Sequence, residues 1–181
     1  MSEPGNAALG VQRFLCSQAI GMSLQGVPAL YIRCLFGCEN WKDGVEKTGR
    51  KRTVNRREFH ISEIDSILDD STGEKAQVFH TLVQMLRKRS EHPAFHPDGT
   101  QAVLDLPDHL FGVQRSSPDG TENITCIFNF TQSEQSLPLG DIKKSKGMSY
   151  RELIKGFDIS GNDDLKLEPY QAVWLMETQE A

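Results

Sequence analysis

The stretch RFLCSQAIGMSLQGVPALYI, residues 13–32, runs a helix-like apolar pattern straight into a short apolar segment, with only a Gln-Gly pair between them. Across 8–25, Leu9, Phe14, Leu15, Ile20, Met22 and Leu24 recur at mixed helical spacings with few charges, which predicts a mostly buried helix. GVPALYI, 26–32, is bounded by Gly26 and Pro28 and carries β-branched and aromatic residues, so it reads as a strand apolar on both faces. A helix feeding such a strand predicts a parallel sheet with helices outside it.

Downstream, a polar connection runs from about Cys34 to His60 with no sustained periodicity. At about 25 residues it exceeds an ordinary connection, and loops of that length are functional or disordered. It contains TGRKRTVNRREF, 48–59, with five cations around one Asn. ISEIDSILDD predicts a helix with Ser62 at its N-cap and Glu63 in its first turn. EKAQVFHTLVQMLRKRSEH, from 74, places Val78, Leu82, Met85 and Leu86 on one stripe. Arg87, Lys88 and Arg89 fall near its C-terminal end, where cations suit the macrodipole, and read as a solvated helix end.

Pro93 stops that helix, and from about Gly99 the texture changes to alternation and turns. QAVLDL, HLFGVQRSS, ENITCIFNF and YQAVWLME read as strands, SPDGT as a hairpin turn, and Trp174 and Phe128 as core. The expected division is 1–96 and 97–181, the second part a small antiparallel β domain. A single strand cannot make a parallel sheet, so residues 1 to about 95 read as the end of a larger α/β domain whose other strands lie elsewhere.

Composition limits function. With 181 residues, a net charge of -5 and a pI near 5.5, the chain is too acidic for a nucleic-acid-coating protein, and no aromatic platform accompanies the basic residues of 50–57. The four cysteines have neither zinc-site spacing nor disulfide density, and Cys34 and Cys38, flanking Phe36, fit buried thiols in a reducing compartment. No apolar run of transmembrane length is present and MSEPGNAALG lacks the features of a secretory signal, so the expectation is a cytoplasmic protein with no membrane partner. The sequons at Asn123 and Asn129 would matter only in a secreted protein. His60, His80, His92, His96 and His109 show no metal-ligand spacing, and neither a Gly-rich phosphate loop nor a nucleophile elbow appears; no metal and no cofactor is expected.

Gln-Gly-Val-Pro-Ala-Leu-Tyr (25–31), Leu-Phe-Gly (35–37), Gly-Val-Glu (44–46), Thr-Gly-Arg (48–50), Arg-Thr-Val-Asn-Arg (52–56) and Arg-Ser-Glu-His-Pro-Ala-Phe (89–95) follow in order. As an ensemble they resemble the C-terminal part of sucrose-phosphorylase-type enzymes in the α-amylase superfamily of glycoside hydrolases, over roughly residues 12–96. The resemblance implies a remnant of a (β/α)8 TIM barrel, its last strand and helices, followed by the small antiparallel β domain. In such barrels the active site is built at the C-terminal ends of the strands, which puts the 34–60 loop on the catalytic face.

By the same resemblance Arg52 binds the glucosyl ring, while Asn55 and Arg56 shape the loop or pair with barrel carboxylates and Lys51 and Arg57 are solvated. Trp41 stands where the family has Asp after Asn. It either stacks on the acceptor or is a substitution tolerated once activity is lost. The nucleophilic Asp, the acid/base Glu and the stabilising Asp belong to earlier strands, so no catalytic residue is expected in this chain; Glu39 and Asp43 are explained by loop solubility.

The complete enzyme would take an α-glucoside such as sucrose and inorganic phosphate to α-glucose 1-phosphate, with the acceptor unspecified and this portion inactive alone. The alternative is a truncated or split non-catalytic module that binds sugar or a protein partner, and its exposed barrel edge would favour self-association or docking of the missing barrel part.

Overall fold

The computed structural model describes residues 7–142 and 148–178; the start of MSEPGNAALG lies outside them. Among the described residues five helices come first: α1 (Ala7–Ser23), α2 (Ile32–Leu35), α3 (Lys42–Thr48), α4 (Ile61–Asp69) and α5 (Glu74–Glu91). Eight strands follow: β1 (Thr100–Val103), β2 (Leu110–Ser116), β3 (Asn123–Asn129), β4 (Gln135–Pro138), β5 (Ser149–Glu152), β6 (Asp158–Ser160), β7 (Asp164–Leu167) and β8 (Ala172–Thr178). Six of them form an antiparallel sheet in the order β1-β2-β3-β8-β5-β6, and β4 pairs with β7 in a second, two-stranded sheet.

The two faces of the large sheet are covered by different things. Side chains alternate along a strand, so β3 sends Ile124, Cys126 and Phe128 toward the helices, where they meet Val113, Trp174, Phe95 and the apolar stripes of α1 and α5. From the opposite face Ile127, Val173 and Leu175 pack on Leu137, Leu139, Leu165 and Leu167 of the small sheet and its flank. Phe128 and Trp174 are fully buried, as their position in the pattern predicts. Coverage on both sides explains why six consecutive residues of β3, Ile124 to Asn129, are all buried.

The predicted hairpin stands between β2 and β3, where Gly120 takes φ +71° and the Asp119 carboxylate accepts from Ser117 Oγ and Thr121 Oγ1 at 2.6 and 2.9 Å. The Ser117 hydroxyl, followed by the Thr121 N–H and hydroxyl, holds the Asp119 pKa down to about 2. Strands β4 to β7 have no counterpart in the sequence reading, because each is only three or four residues long. Asn129 lies in the core with Nδ2 donating to the carbonyls of Ser133, Leu167 and Glu168 at 2.8 to 3.1 Å, so its sequon is closed in the folded chain.

Residues 27–31 pair with no strand among the described residues, and Val27, Tyr31 and Ile32 are exposed, in keeping with a run whose sheet neighbours are expected outside this chain. Other expectations are corrected. Helix α4 starts at Ile61 with His60 at its cap, so Ser62 is inside the first turn. Cys16 and Cys126 are the buried thiols, whereas Cys34 and Cys38 are half-buried; Phe36 between them takes the core position, stacked on Phe79 with centroids 5.4 Å apart.

The largest correction is Arg89. It extends the buried stripe Val78, Leu82, Met85 along α5 and lies in the core, while Arg87 remains exposed. Its terminal nitrogens donate to the carbonyl of Met22 and, at 2.6 Å, to that of Gly26. Arg115 of β2, with no exposed surface, donates to the carbonyls of Ser23 at 3.1 Å, His96 at 2.9 Å and Thr100 at 3.3 Å. Both guanidinium groups lie over the Phe95 ring, at 5.3 and 6.0 Å from its centroid. Burial and mutual repulsion lower the pKa of Arg89, and burial lowers that of Arg115, while the α1 carbonyls supply negative partial charge for both cations.

Arg115→Ala strands three carbonyls and opens a cavity, and is expected to cost about 3–5 kcal/mol in urea unfolding, against under about 0.5 kcal/mol for exposed Arg87→Ala. Burial pushes the Cys16 and Cys126 thiols up to about 11 and about 12. Two thiols are therefore expected to react with a disulfide reagent at pH 8 in the native chain and four after denaturation; rapid labelling of all four would contradict this packing.

Candidate functional site

The segment between the exposed apolar run and α4 is a compact unit with little regular structure. After α2 the chain turns at Gly37 and extends to Trp41. It then makes α3, reverses at Gly49, and closes with a 3₁₀ turn, Lys51–Asn55. Gly49 takes φ +65° and its N–H caps the Val45 carbonyl at 2.8 Å, the left-handed helix end that glycine adopts without a Cβ penalty. Thr48 Oγ1 donates to the Gly44 carbonyl at 2.7 Å and bonds the Thr53 hydroxyl at 2.9 Å, tying α3 to the turn.

Arg52 sits in the last turn of the 3₁₀ segment with its side chain exposed. Asn55 and Arg56 are exposed as well, and two atoms of Asn55 are engaged: Oδ1 accepts from Arg33 Nη1 at 3.1 Å and the carbonyl from the Tyr31 hydroxyl at 3.0 Å. Trp41 is half-buried, donates its N–H to the Val54 carbonyl at 2.9 Å, and lays its ring against Gly44. Arg57 is not solvated as expected: it pairs with Glu63 and lies 5.0 Å over the Phe59 ring. Glu39 and Asp43 are exposed.

Charge separates this unit from the remainder of the chain. Residues 33–57 hold eight Lys and Arg against three acids, a net +5 in a chain of net -5. Arg50, Lys51, Arg52 and Arg56 make no side-chain hydrogen bond or ion pair among the described residues. The contrast is a cleft of about 430 Å³ between α5 and β5, where each of three cations has a partner: Lys88 with Glu91 at 3.0 Å, Arg151 with Asp158 at 3.0 Å, Lys155 with Glu168 at 3.7 Å. Uncompensated cations on one rim make a surface suited to an anionic or hydroxyl-rich ligand. Among the described residues no group of three or more His, Cys, Asp or Glu could hold a metal ion, and no helix is long and apolar enough to cross a membrane.

No motif in the sequence marks Arg33. It is buried, at 5% exposure, and its guanidinium sits at the centre of the unit. Its only sequence signal is position, a cation directly after an apolar run that enters a long loop.

No family model matches the chain. It is 41% identical over 124 residues to a glucosylglycerate phosphorylase of Spirochaeta thermophila, covering 68% of this chain and 21% of that protein. A glucosylglycerate phosphorylase of Escherichia coli is 33% identical over 163 residues, 90% of this chain and 28% of that protein. The chain therefore spans about a quarter of the length of these relatives. Its fold matches an Anoxybacillus α-amylase with TM-score 0.71 at 18% identity, over 94% of this chain and 33% of that one.

The chain corresponds to the C-terminal portion of a sucrose phosphorylase-like member of the α-amylase superfamily.

Trp41 and Gly44 give a direct test of the unit's packing. A Cβ on Gly44 would lie 2.2 Å from Trp41 Cε3, so Gly44→Ala must displace the indole. With Trp174 fully buried, the expected result is a red shift of tryptophan emission and greater quenching by iodide, and unchanged emission would refute the contact.

Proposed function

We propose that this chain is the C-terminal part of a retaining glycoside phosphorylase, with 1–96 completing a (β/α)8 barrel, 97–181 forming its β domain, and Arg52 contacting the glucosyl group of the substrate. What supports this most is the unpaired cationic loop, read together with the kinship to glucosylglycerate phosphorylases. In the complete enzyme a carboxylate attacks the anomeric carbon while a carboxylic acid protonates the departing oxygen. A phosphate oxygen then displaces the enzyme carboxylate, giving α-glucose 1-phosphate with retention.

The substrate we favour is an α-glucoside whose leaving group is itself an anion, as glycerate is, rather than the neutral fructose of sucrose. A loop of net +5 lowers the cost of bringing a carboxylate and a phosphate into one site. The guanidinium of Arg52 offers five donors in a planar fork, enough for two adjacent sugar hydroxyls or an anion. Trp41, held against α3, flanks this loop as an apolar surface for the acceptor side. The catalytic carboxyl groups belong to other barrel strands, so the 181 residues alone are inactive, and the setting is cytoplasmic.

A second reading is favoured by the exposed apolar residues Val27, Tyr31, Ile32 and Ile61, at 44% to 81% exposure. On that reading the chain is a separate module that docks a barrel partner, or a second copy of itself, through this edge.

The test is phosphorolysis by the complete enzyme, with glucosylglycerate and sucrose compared at equal concentration. Preference for glucosylglycerate is expected, and Arg52→Ala should lower kcat/KM by roughly 10- to 100-fold, the loss of one or two charge-assisted hydrogen bonds. Turnover by the 181-residue chain alone, or indifference to Arg52→Ala, would overturn the proposal.

A further inference from the structure

Arg33 does something that neither its neighbours nor the resemblance accounts for. Its guanidinium is buried without an acidic partner among the described residues, an expensive placement unless hydrogen bonds replace the lost water. For the two terminal nitrogens the replacements come from one segment reached from two sides, while Nε has no partner among the described residues. Nη1 donates to the Val54 carbonyl at 2.8 Å and to Asn55 Oδ1 at 3.1 Å, while Nη2 donates to the Glu39 carbonyl. One side chain thus joins the entry of the segment, at residue 39, to its exit, at 54 and 55.

The Val54 carbonyl is shared, since it also accepts from the Trp41 N–H at 2.9 Å. Entry and exit therefore meet at one oxygen with Arg33 beneath it. The exit residues belong to the same five-residue 3₁₀ turn as Arg52, so their placement fixes where the Arg52 Cα stands. Other anchors remain: Phe36 stacks on Phe79 of α5, Arg57 pairs with Glu63 of α4, and the Tyr31 hydroxyl donates to the Asn55 carbonyl at 3.0 Å. Without Arg33, residues 39–55 would be held by these contacts, by the single Trp41–Val54 backbone bond and by the bonds among α3 and the 3₁₀ turn.

We propose that Arg33 is a positioning residue, a buried fork that closes the 39–55 segment and sets the position of Arg52; its consequence for substrate rests on the reading of Arg52 given above. Only arginine meets the geometry. Two terminal nitrogens held in one plane reach oxygens on opposite sides, whereas the lysine ammonium is a point donor on a flexible stem that can satisfy one side at a time.

Two measurements separate this proposal from the substrate reading. The first is amide hydrogen exchange on the 181-residue chain. Arg33→Gln and Arg33→Lys are expected to raise exchange at Trp41, Thr53 and Arg56 at least tenfold and to leave α1, α5 and β3 at wild-type rates; Arg52→Ala changes none of these. Wild-type protection of the segment in Arg33→Gln, or loss of protection throughout the chain in both Arg33 variants, overturns the proposal. In the second case Arg33 would be an ordinary core residue.

The second measurement is KM for the glucosyl donor in the complete enzyme. Arg33→Lys should raise it in the same direction as Arg52→Ala, and the double variant should match Arg52→Ala alone, because a residue acting through Arg52 has nothing to add once Arg52 is gone. Additive effects would overturn the positioning role. A loosened segment combined with an Arg52→Ala enzyme of wild-type KM would uphold Arg33 as the pin of the loop and defeat the glucosyl contact assigned to Arg52.

Discussion

Two guanidinium groups close the C-terminal end of α1, Arg89 joining it to α5 and Arg115 joining it to the β-sheet. The last carbonyls of a helix have no intrahelical donor, and here those of Met22 and Ser23 receive theirs from Arg89 of α5 and Arg115 of β2. The cations need negative partial charge in the core, and the helix end needs donors. Each requirement is met by the other. Phe95 lies beside both guanidinium groups and against Trp174, its ring 4.8 Å from the indole, so the polar cluster is walled by the apolar core.

The same cluster directs the chain that leaves α1. Arg89 bonds the Gly26 carbonyl, and Gln25 is held on both sides: its N–H donates to Gln101 Oε1 at 2.7 Å and its Nε2 to the Gly99 carbonyl at 2.9 Å. The β domain therefore fixes the start of the 27–31 segment, which leads within a few residues to Tyr31 and Arg33 and so to the cationic loop. Buried arginines stand at both ends of this short segment, and both are neutralised by carbonyl oxygens rather than carboxylates. A carboxylate could pair elsewhere or take up a proton, whereas backbone oxygens can do neither, so the direction of the chain is set by groups whose charge does not change with pH.

Charge is distributed to match. Where cations serve the fold they are buried on carbonyls, as at Arg33, Arg89 and Arg115, and where they line the open cleft beside β5 they are paired with acids. Along 50–56 four, Arg50, Lys51, Arg52 and Arg56, stand exposed without partners among the described residues. Fold stability does not explain leaving them so, since they repel one another.

Periodicity alone revealed most of the elements. The stripe in α5, the alternation in β2, β3 and β8 and the Asp-Gly turn are local patterns of period 3.6, period 2 and φ sign, and the structure keeps all of them. So did the order of short motifs from 25 to 95, which placed the chain in its superfamily from residue identity and sequence order. Strands β4 to β7 escaped because three or four residues hold too little pattern to register, and the 27–31 run stays unpaired because none of the described residues offers it a neighbouring strand. What only the tertiary structure decided was the fate of the charges. Arg89 and Arg115 continue apolar stripes and Arg33 follows an apolar run, so their burial was latent in position. Yet whether a cation is solvated, paired or sunk onto a helix end depends on which carbonyls arrive beside it from tens of residues away. Period and propensity are properties of a local stretch of chain; compensation of a buried charge is a property of the fold.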